Sequence, residues 1–302
     1  MAKYIFILCI LLAGPAEGGL LFGYSKKQLP TPSGLKKDVR FWESVFSDYG
    51  PNECLVHDSK NPSVVFYVAK VPSRGGKRQK RAIKGAIKKV KNVLYRLAKK
   101  KKLTRRWQRK MAKKIPREFR SKRYYRAAAK RLRCQRGVAR QFKKSLKRSQ
   151  KYLAMIKKEI KKQKLPMDLA YLPHLESGYN NKARSKVGAL GLWQIMPQTA
   201  RGALKMTRYR DERVHVVKAT RFALKTLKRN YKKTKSWPLA VTAYNYGING
   251  VVRAIKKHKT KDYMKIRKKH RTRIFRFAAK NFYPSFLAVR NLAVEKRHLA
   301  GL

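Results

Sequence analysis

The residues that could do chemistry in this chain lie mostly between positions 165 and 200, LPMDLAYLPHLESGYNNKARSKVGALGLWQIMPQTA. Leu165-Pro166 followed by Met167-Asp168-Leu169-Ala170 reads as a helix start, with proline tolerated in the first turn. The helix is expected to run to about Leu175, and Gly178 ends it. Glu176 then sits at the C-terminal end of an apolar helix, flanked by Leu172, Leu175 and Tyr179. A carboxyl group there is poorly solvated and faces the negative end of the helix dipole, and both effects favour its protonated form. A glutamic acid kept neutral near pH 7 can protonate a glycosidic oxygen. The plainer alternative is an ordinary helix-end carboxylate. His174 lies two residues earlier, on another face of the helix, and is not expected to take part.

Glycosidases of the ordinary kind place two carboxylates about 5–5.5 Å or about 6.5–9.5 Å apart, substrate-assisted enzymes excepted. Acids are scarce here: after Glu176 there remain Asp211, Glu212, Asp262 and Glu295. Asp211-Glu212-Arg213 leads into a helix, where charge at a helix start is its expected role. One glutamate assisted by its substrate is therefore the easier fit. Trp193 could stack on a sugar face or fill a core. Trp237-Pro238-Leu239-Ala240 begins the helix that delivers Tyr244, and Gly247 and Gly250 read as the turn beyond it. The six histidines show no HExxH spacing and the cysteines form no paired zinc motif, so neither a metal nor a cofactor is expected.

The elements that must position these groups fall into segments. Residues 1–16 have a lysine, an apolar run Tyr4–Ala13 and small residues at Gly14-Pro15-Ala16, the layout of an export signal. Residues 17–76 are expected to be irregular or mixed, punctuated by proline, with one strand-like run at Val64–Val68. Residues 77–164 form a basic helical region. Ile83, Ile87, Val90, Leu94 and Leu97 recur at helical steps, as do Val138, Phe142, Leu146, Leu153, Ile156 and Ile160. Gly75-Gly76 is a plausible hinge before the first of these helices. Residues 165–292 are richer in glycine and catalytic-type polar residues and end in an aromatic block, Phe275, Phe277, Phe282, Tyr283 and Phe286, suited to closing a core. Residues 293–302 are the tail.

Charge is the compositional outlier: 80 Lys and Arg against 14 Asp and Glu, a formal net charge of +66. Half of those cations fall in residues 71–164, opposed only by Glu118 and Glu159. With 43% hydrophobic residues the chain is not compositionally disordered. Such an excess suits a polyanionic partner, either nucleic acid or the anionic polymers of a cell envelope. Removal of the signal would take Cys9 with it and leave Cys54 and Cys134, which could form one disulfide; the sequence does not say whether they meet.

Glu176-Ser177, then Gly188-Ala189-Leu190-Gly191-Leu192-Trp193-Gln194-Ile195-Met196-Pro197, and later Ala243-Tyr244-Asn245, together resemble the lytic transglycosylases with a goose-type lysozyme-like catalytic domain. Phe41-Trp42-Glu43-Ser44-Val45-Phe46, His57-Asp58, Arg133-Cys134-Gln135-Arg136-Gly137 and Asn281-Phe282-Tyr283-Pro284-Ser285-Phe286 extend the likeness to the membrane-bound murein transglycosylase D-like subgroup. The resemblance implies a mainly all-α fold, with a lysozyme-like domain preceded by basic amphipathic helices and a short irregular or β N-terminal segment. It implies that Glu176 acts first as acid and then as base in cutting the bond between N-acetylmuramic acid and N-acetylglucosamine, leaving a 1,6-anhydro sugar. Ser185 would steady the 2-acetamido group, Gln194 and Met196 would line the sugar cleft, and Tyr244 would hydrogen-bond the glutamate, with Asn245 as its companion. Tyr283 could reach the cleft from its own block.

The implied partners are peptidoglycan glycan strands, together with anionic envelope polymers or a membrane surface, and the implied place is the periplasm, at the cell envelope. Three other readings compete: a lysozyme-like hydrolase, a non-catalytic glycan-binding protein, and a nucleic-acid-binding protein whose basic helices carry Trp107, Tyr124 and Tyr125 for base stacking. The signal-like start disfavours the last.

Overall fold

The computed structural model describes residues 29–272 and 274–299, so the expected export segment at 1–16 lies outside the described residues. The described chain is mainly helical with one small sheet, the class expected. Helix α1 (Lys36–Ser47) opens it, burying Val39, Phe41, Trp42, Val45 and Phe46 along one face. Strands β1 (Glu53–Asp58) and β2 (Val65–Lys70) follow as an antiparallel pair, with a register shift between Val56 and His57. The segment expected to be irregular or mixed, with one strand near Val64–Val68, holds a helix and two strands, and Pro51 and Pro62 fall in the turns between them.

Next come α2 (Lys77–Ala98), α3 (Arg106–Lys113) and α4 (Lys122–Ala129), and then β3 (Leu132–Arg136), which pairs antiparallel with the free edge of β1. Gly76 precedes α2 at φ +111°, a left-handed backbone that favours glycine. Sheet order is β2-β1-β3, and the basic region thus contributes a strand that its helical periodicity gave no sign of. Alternation along β1 divides the interior in two. Cys54 and Val56 face a small core with Phe66, Val90, Leu94, Met111 and Ile115, whereas Leu55 faces the larger core. Cys54 and Cys134 are joined by a disulfide between these neighbouring strands, their Cα atoms 5.6 Å apart and 80 residues apart in sequence.

The larger core is built around α5 (Ala139–Lys162), which buries Phe142, Leu153, Ile156 and Ile160. Around it pack the short helices α6 (Leu172–Glu176) and α7 (Pro197–Ala200), then α8 (Val216–Thr234), α9 (Trp237–Tyr246), α10 (Ile248–His258), α11 (Tyr263–Lys269) and α12 (Phe277–Leu299). The aromatic block closes this core as expected: Phe275, Phe282, Tyr283 and Phe286 are all buried. Pro284 lies inside α12 and cannot donate to the Lys280 carbonyl one turn back. Arg267 Nε at 2.9 Å and the Tyr263 hydroxyl at 3.3 Å donate to that oxygen instead, so the proline ties α11 to α12.

Acids in this basic chain are spent as fasteners between distant segments. Asp168 accepts from Arg290 at 2.9 Å and from the Leu29 backbone, Asp38 from Arg267 at 2.6 Å, and Asp58 from Arg131 through two bonds and from Tyr124. Each joins residues far apart in sequence, at sites where a lone charge would be costly. Loop-closure arithmetic for a cross-link spanning 80 residues allows up to about 4.5 kcal/mol of stabilisation. Reduction of Cys54–Cys134, or its replacement by serines, should lower the urea midpoint by an amount worth about 2–4 kcal/mol, read by circular dichroism.

Candidate active site

Glu176 is delivered by a helix that changes type partway. Met167–Tyr171 is a 3-10 turn that passes into α6. The switch has a local cause: Pro173 has no N–H to give the Leu169 carbonyl, which the Leu172 amide takes instead in the tighter pattern. Leu169 and Leu172 are fully buried and fix the helix, leaving Glu176 at its last position. Two consecutive left-handed residues then turn the chain, Gly178 at φ +57° and Tyr179 at φ +56°. For a tyrosine that conformation costs on the order of 1–3 kcal/mol. Its full burial, its hydroxyl on the Ala170 carbonyl and its edge contact with His174 offset the strain.

Ser177 donates to the Leu192 carbonyl at 2.8 Å, fastening the end of α6 to the GLWQ loop. That loop is folded on itself. Ser185 and Ala189 exchange two hydrogen bonds of 2.9 Å, one through the Ser185 hydroxyl, and Leu190 and Ile195 bond to each other through their backbones. Gly191 has φ +79°, and a Cβ there would lie 2.3 Å from the Arg213 carbonyl oxygen, so the position admits only glycine. Gln194 is left-handed at φ +46°, and its amide nitrogen donates to the Ala183 and Gly191 carbonyls, each at 3.0 Å.

Arg213 holds the loop from beneath. Its guanidinium is gripped by Asp211 at 2.7 and 2.9 Å, and its Nη1 donates to the Gly188 carbonyl at 2.8 Å and the Ile195 carbonyl at 3.1 Å. The expected role of Asp211-Glu212-Arg213 as helix-start charge is therefore incomplete. Asp211 does cap a turn, but Arg213 is buried and clamps the GLWQ segment. Spacing could not reveal this, because Arg213 meets Gly188 only through the tertiary fold. Glu212 completes the arrangement by bonding Lys218 at 2.6 Å and the Lys205 amide at 3.0 Å.

The electrostatics of Glu176 differ from those of nearly every other acid. Each described carboxylate except Glu176 and the exposed Glu295 accepts at least one hydrogen bond from a described residue. Glu176 is half-buried, and the protein packed around its carboxyl pushes it up to about 8 with no cation offsetting the effect. Tyr244 stands close enough to feel it: its hydroxyl is raised well above the usual tyrosine value, first by burial and then by the Glu176 charge. His174 points elsewhere. Its Nδ1 lies 2.6 Å from the Ser145 hydroxyl, and burial with help from Arg148 holds its ring neutral, down at about 3.

The expected site residues are distributed as follows. Tyr244 adjoins Glu176, but its hydroxyl donates to the Trp193 carbonyl at 2.9 Å rather than to the glutamate. Trp193 is fully buried with its indole on Thr220 at 2.9 Å, which resolves its two readings in favour of the core. Gln194 and Met196 are half-buried in the loop that Arg213 holds, and Ser185 shapes its start. Asn245 is exposed at the end of α9. Tyr283 does not reach a cleft; it is buried, with its hydroxyl on the Pro30 carbonyl at 2.6 Å. Trp237 packs on Tyr231, ring centres 4.4 Å apart. Ser177 and Arg213 are the two contributors whose parts in the site the sequence did not disclose. Among the described residues no cluster of His, Cys, Asp and Glu could hold a metal ion.

This combination of glutamate, glycine-rich loop and tyrosine helix lies within residues 154–267, which match the Transglycosylase SLT domain family. The chain is homologous there to membrane-bound lytic murein transglycosylase D of Escherichia coli (strain K12), 40% identical over 116 residues, 38% of this chain and 26% of that protein. A tributyltin chloride resistance protein of Alteromonas sp. (strain M-1) is 36% identical over 116 residues, 38% of this chain and 56% of that one. The chain thus spans about a quarter and about half the length of these two relatives. Among solved structures, an inactive mutant of the lytic transglycosylase Slt from Pseudomonas aeruginosa aligns with a TM-score of 0.40 and 21% identity, covering 48% of this chain and 24% of that one.

Two outcomes are expected. Arg213→Met removes a buried guanidinium and strands half-buried Asp211 and two carbonyls, and should cost about 2 kcal/mol in urea unfolding. Glu176 has a folded value raised to about 8 from an ordinary 4.5, so the native state prefers it protonated. Its contribution is fully present below about pH 4.5 and is lost as pH rises through about 8. Glu176→Gln should therefore leave the melting temperature unchanged at pH 4 and raise it at pH 8, by the equivalent of about 2 kcal/mol given the partial solvent access of the residue.

Proposed function

We propose that the protein is a peptidoglycan lytic transglycosylase that cleaves the β-1,4 bond between N-acetylmuramic acid and N-acetylglucosamine. The observation that carries this reading is the Glu176 carboxyl, desolvated and without an ion pair in a chain of 80 basic side chains, and it lies within the stretch that matches the SLT domain family. At neutral pH a group raised to about 8 carries its proton into the reaction. Glu176 gives that proton to the glycosidic oxygen as the C1–O bond breaks. The carboxylate left behind takes the proton of the muramic acid C6 hydroxyl, whose oxygen closes onto C1. The products are a free N-acetylglucosamine 4-hydroxyl and a 1,6-anhydro ring, and Glu176 ends protonated as it began.

The other residues serve this step by position. Tyr244 is a wall of the site and holds the Trp193 carbonyl, which sets the height of the GLWQ loop beside Glu176. In this reading Gln194 and Met196 line the sugar cleft and Ser185 steadies the 2-acetamido group, while Asn245, exposed at the end of α9, meets substrate there. No cofactor is needed. Export to the periplasm and attachment at the envelope follow from the substrate, from the signal-like first 16 residues and from the membrane-bound relative. Among the described residues no helix is long and apolar enough to cross a membrane.

Mass spectrometry of purified murein sacculi digested by wild type and by Glu176→Gln tests the reading. Anhydro-muropeptides from wild type alone are expected. Reducing-end products would make the enzyme a lysozyme, and no soluble product from either would point to a binding protein. The rate at limiting substrate should fall with unit slope as pH rises through about 8, because the acid loses its proton there.

A further inference from the structure

A groove of about 1340 Å³ lies between the two cores, bounded by the Ser59–Asn61 loop and the start of β3 on one side and by α11, the following loop and the start of α12 on the other. Its lining includes no Asp or Glu. Seven basic side chains face it without an ion-pair partner among the described residues: Lys60, Arg133, Lys265, Lys268, Arg271, Arg276 and Lys280, with Arg133 lying over the Phe277 ring. Arg131 and Arg267 also line it, but their charges are already engaged by Asp58 and Asp38.

Basic residues are everywhere on this protein and line other hollows too, but there they come from one or two elements, as with Lys122, Arg123, Arg126 and Lys130 around α4. Here they converge from three elements onto one concavity. Lys280 is half-buried, and its ammonium is pulled down to about 8, first by burial and then by Arg271, Arg267 and Lys60. The fold therefore holds like charges together at a cost, as it would if a counter-charge normally sat among them. Helix α12 starts at this groove, with Phe277, Lys280 and Asn281 in its lining, so the positive end of a 23-residue helix adds to the field. The Ser59–Asn61 loop is preformed, since Asp58 accepts from the Lys60 amide at 2.9 Å and from the Asn61 side chain at 3.2 Å.

We propose that this groove is a binding site for a phosphate-bearing polymer of the polyphosphate kind, without nucleobases, as the signal-like start of the chain favours, and distinct from the glycan site at Glu176. Guanidinium forks, ammonium groups and a helix start are each phosphate-recognition devices, and a lining with seven unmatched cations calls for several negative charges carried on one chain. Bound there, the polymer would bridge the sheet-bearing unit and the helices that follow Glu176. The far wall of the groove reaches towards that site: Thr272 and Phe275 touch Tyr246, two residues beyond Tyr244. The proposal does not depend on the reading of Glu176.

The test is binding of fluorescently labelled short-chain inorganic polyphosphate to the full chain, followed by anisotropy over a salt series. Lys60→Glu/Arg271→Glu/Lys280→Glu should bind about tenfold or more weakly, with a salt slope flatter by about two. Lys84→Glu/Lys88→Glu/Lys89→Glu on exposed α2 changes net charge identically and should stay within about twofold of wild type. The milder Lys60→Gln/Lys280→Gln pair should bind about threefold more weakly while melting at a higher temperature, because it relieves like-charge repulsion. Weaker binding with greater stability separates a lost site from a damaged fold. Equal losses in the groove and α2 triples would overturn the proposal, since only total charge would then matter. Tighter binding of single-stranded DNA of equal phosphate content, abolished by the groove triple, would also overturn it and assign the groove to nucleic acid.

Discussion

The structure depends on keeping one carboxyl group out of reach of a large excess of positive charge. Any lysine or arginine within a few ångströms of Glu176 would pull its proton off at neutral pH. The chain meets this constraint by enclosure. The last turn of α6 is wedged among buried leucines, Tyr179 and the GLWQ loop, with Tyr244 alongside, and the basic side chains are carried on the outer faces of helices. Arg148, whose charge reaches His174 two residues before Glu176, is occupied by the Gly178 carbonyl through two bonds.

The remaining acids perform the opposite task. With so few available, each one placed in the interior is paired, and apart from Glu212 the pairs join segments that are remote in sequence: residue 38 with 267, 58 with 131, 159 with 221, 168 with 290. Removing one partner of such a pair leaves an uncompensated charge indoors, so each fastener is also a vulnerability. The same economy explains Arg213. A buried arginine needs several acceptors, and Asp211 together with two loop carbonyls supplies them while fixing the shape of the segment beside Glu176.

Two halves of unequal character share this frame. The sheet-bearing half is closed by the Cys54–Cys134 bond and by α2 lying over β1, and the helical half is organised by α5. Their boundary is where unmatched cations collect. A seam lined in this way is electrostatically unfavourable when empty, which is why it differs from the equally basic but convex face of α2.

Much of the site was legible in the sequence because it is local. The apolar run ending at Glu176, the stop at Gly178, the glycines of GALGLWQ and the helix bearing Tyr244 are contiguous patterns whose backbone preferences act over a few residues. The helical spacing of α2 and α5 and the aromatic closure of α12 were likewise readable from periodicity. What only the tertiary structure decided are pairings across long separations: β3 adding to β1, Cys54 meeting Cys134, Tyr244 donating to Trp193 rather than to Glu176, and Arg213 reaching under Gly188 and Ile195. Hydrogen bonds and ion pairs between distant segments leave no period in the chain. Their partners are chosen by where burial brings unsatisfied groups together, and that is settled only when the cores close.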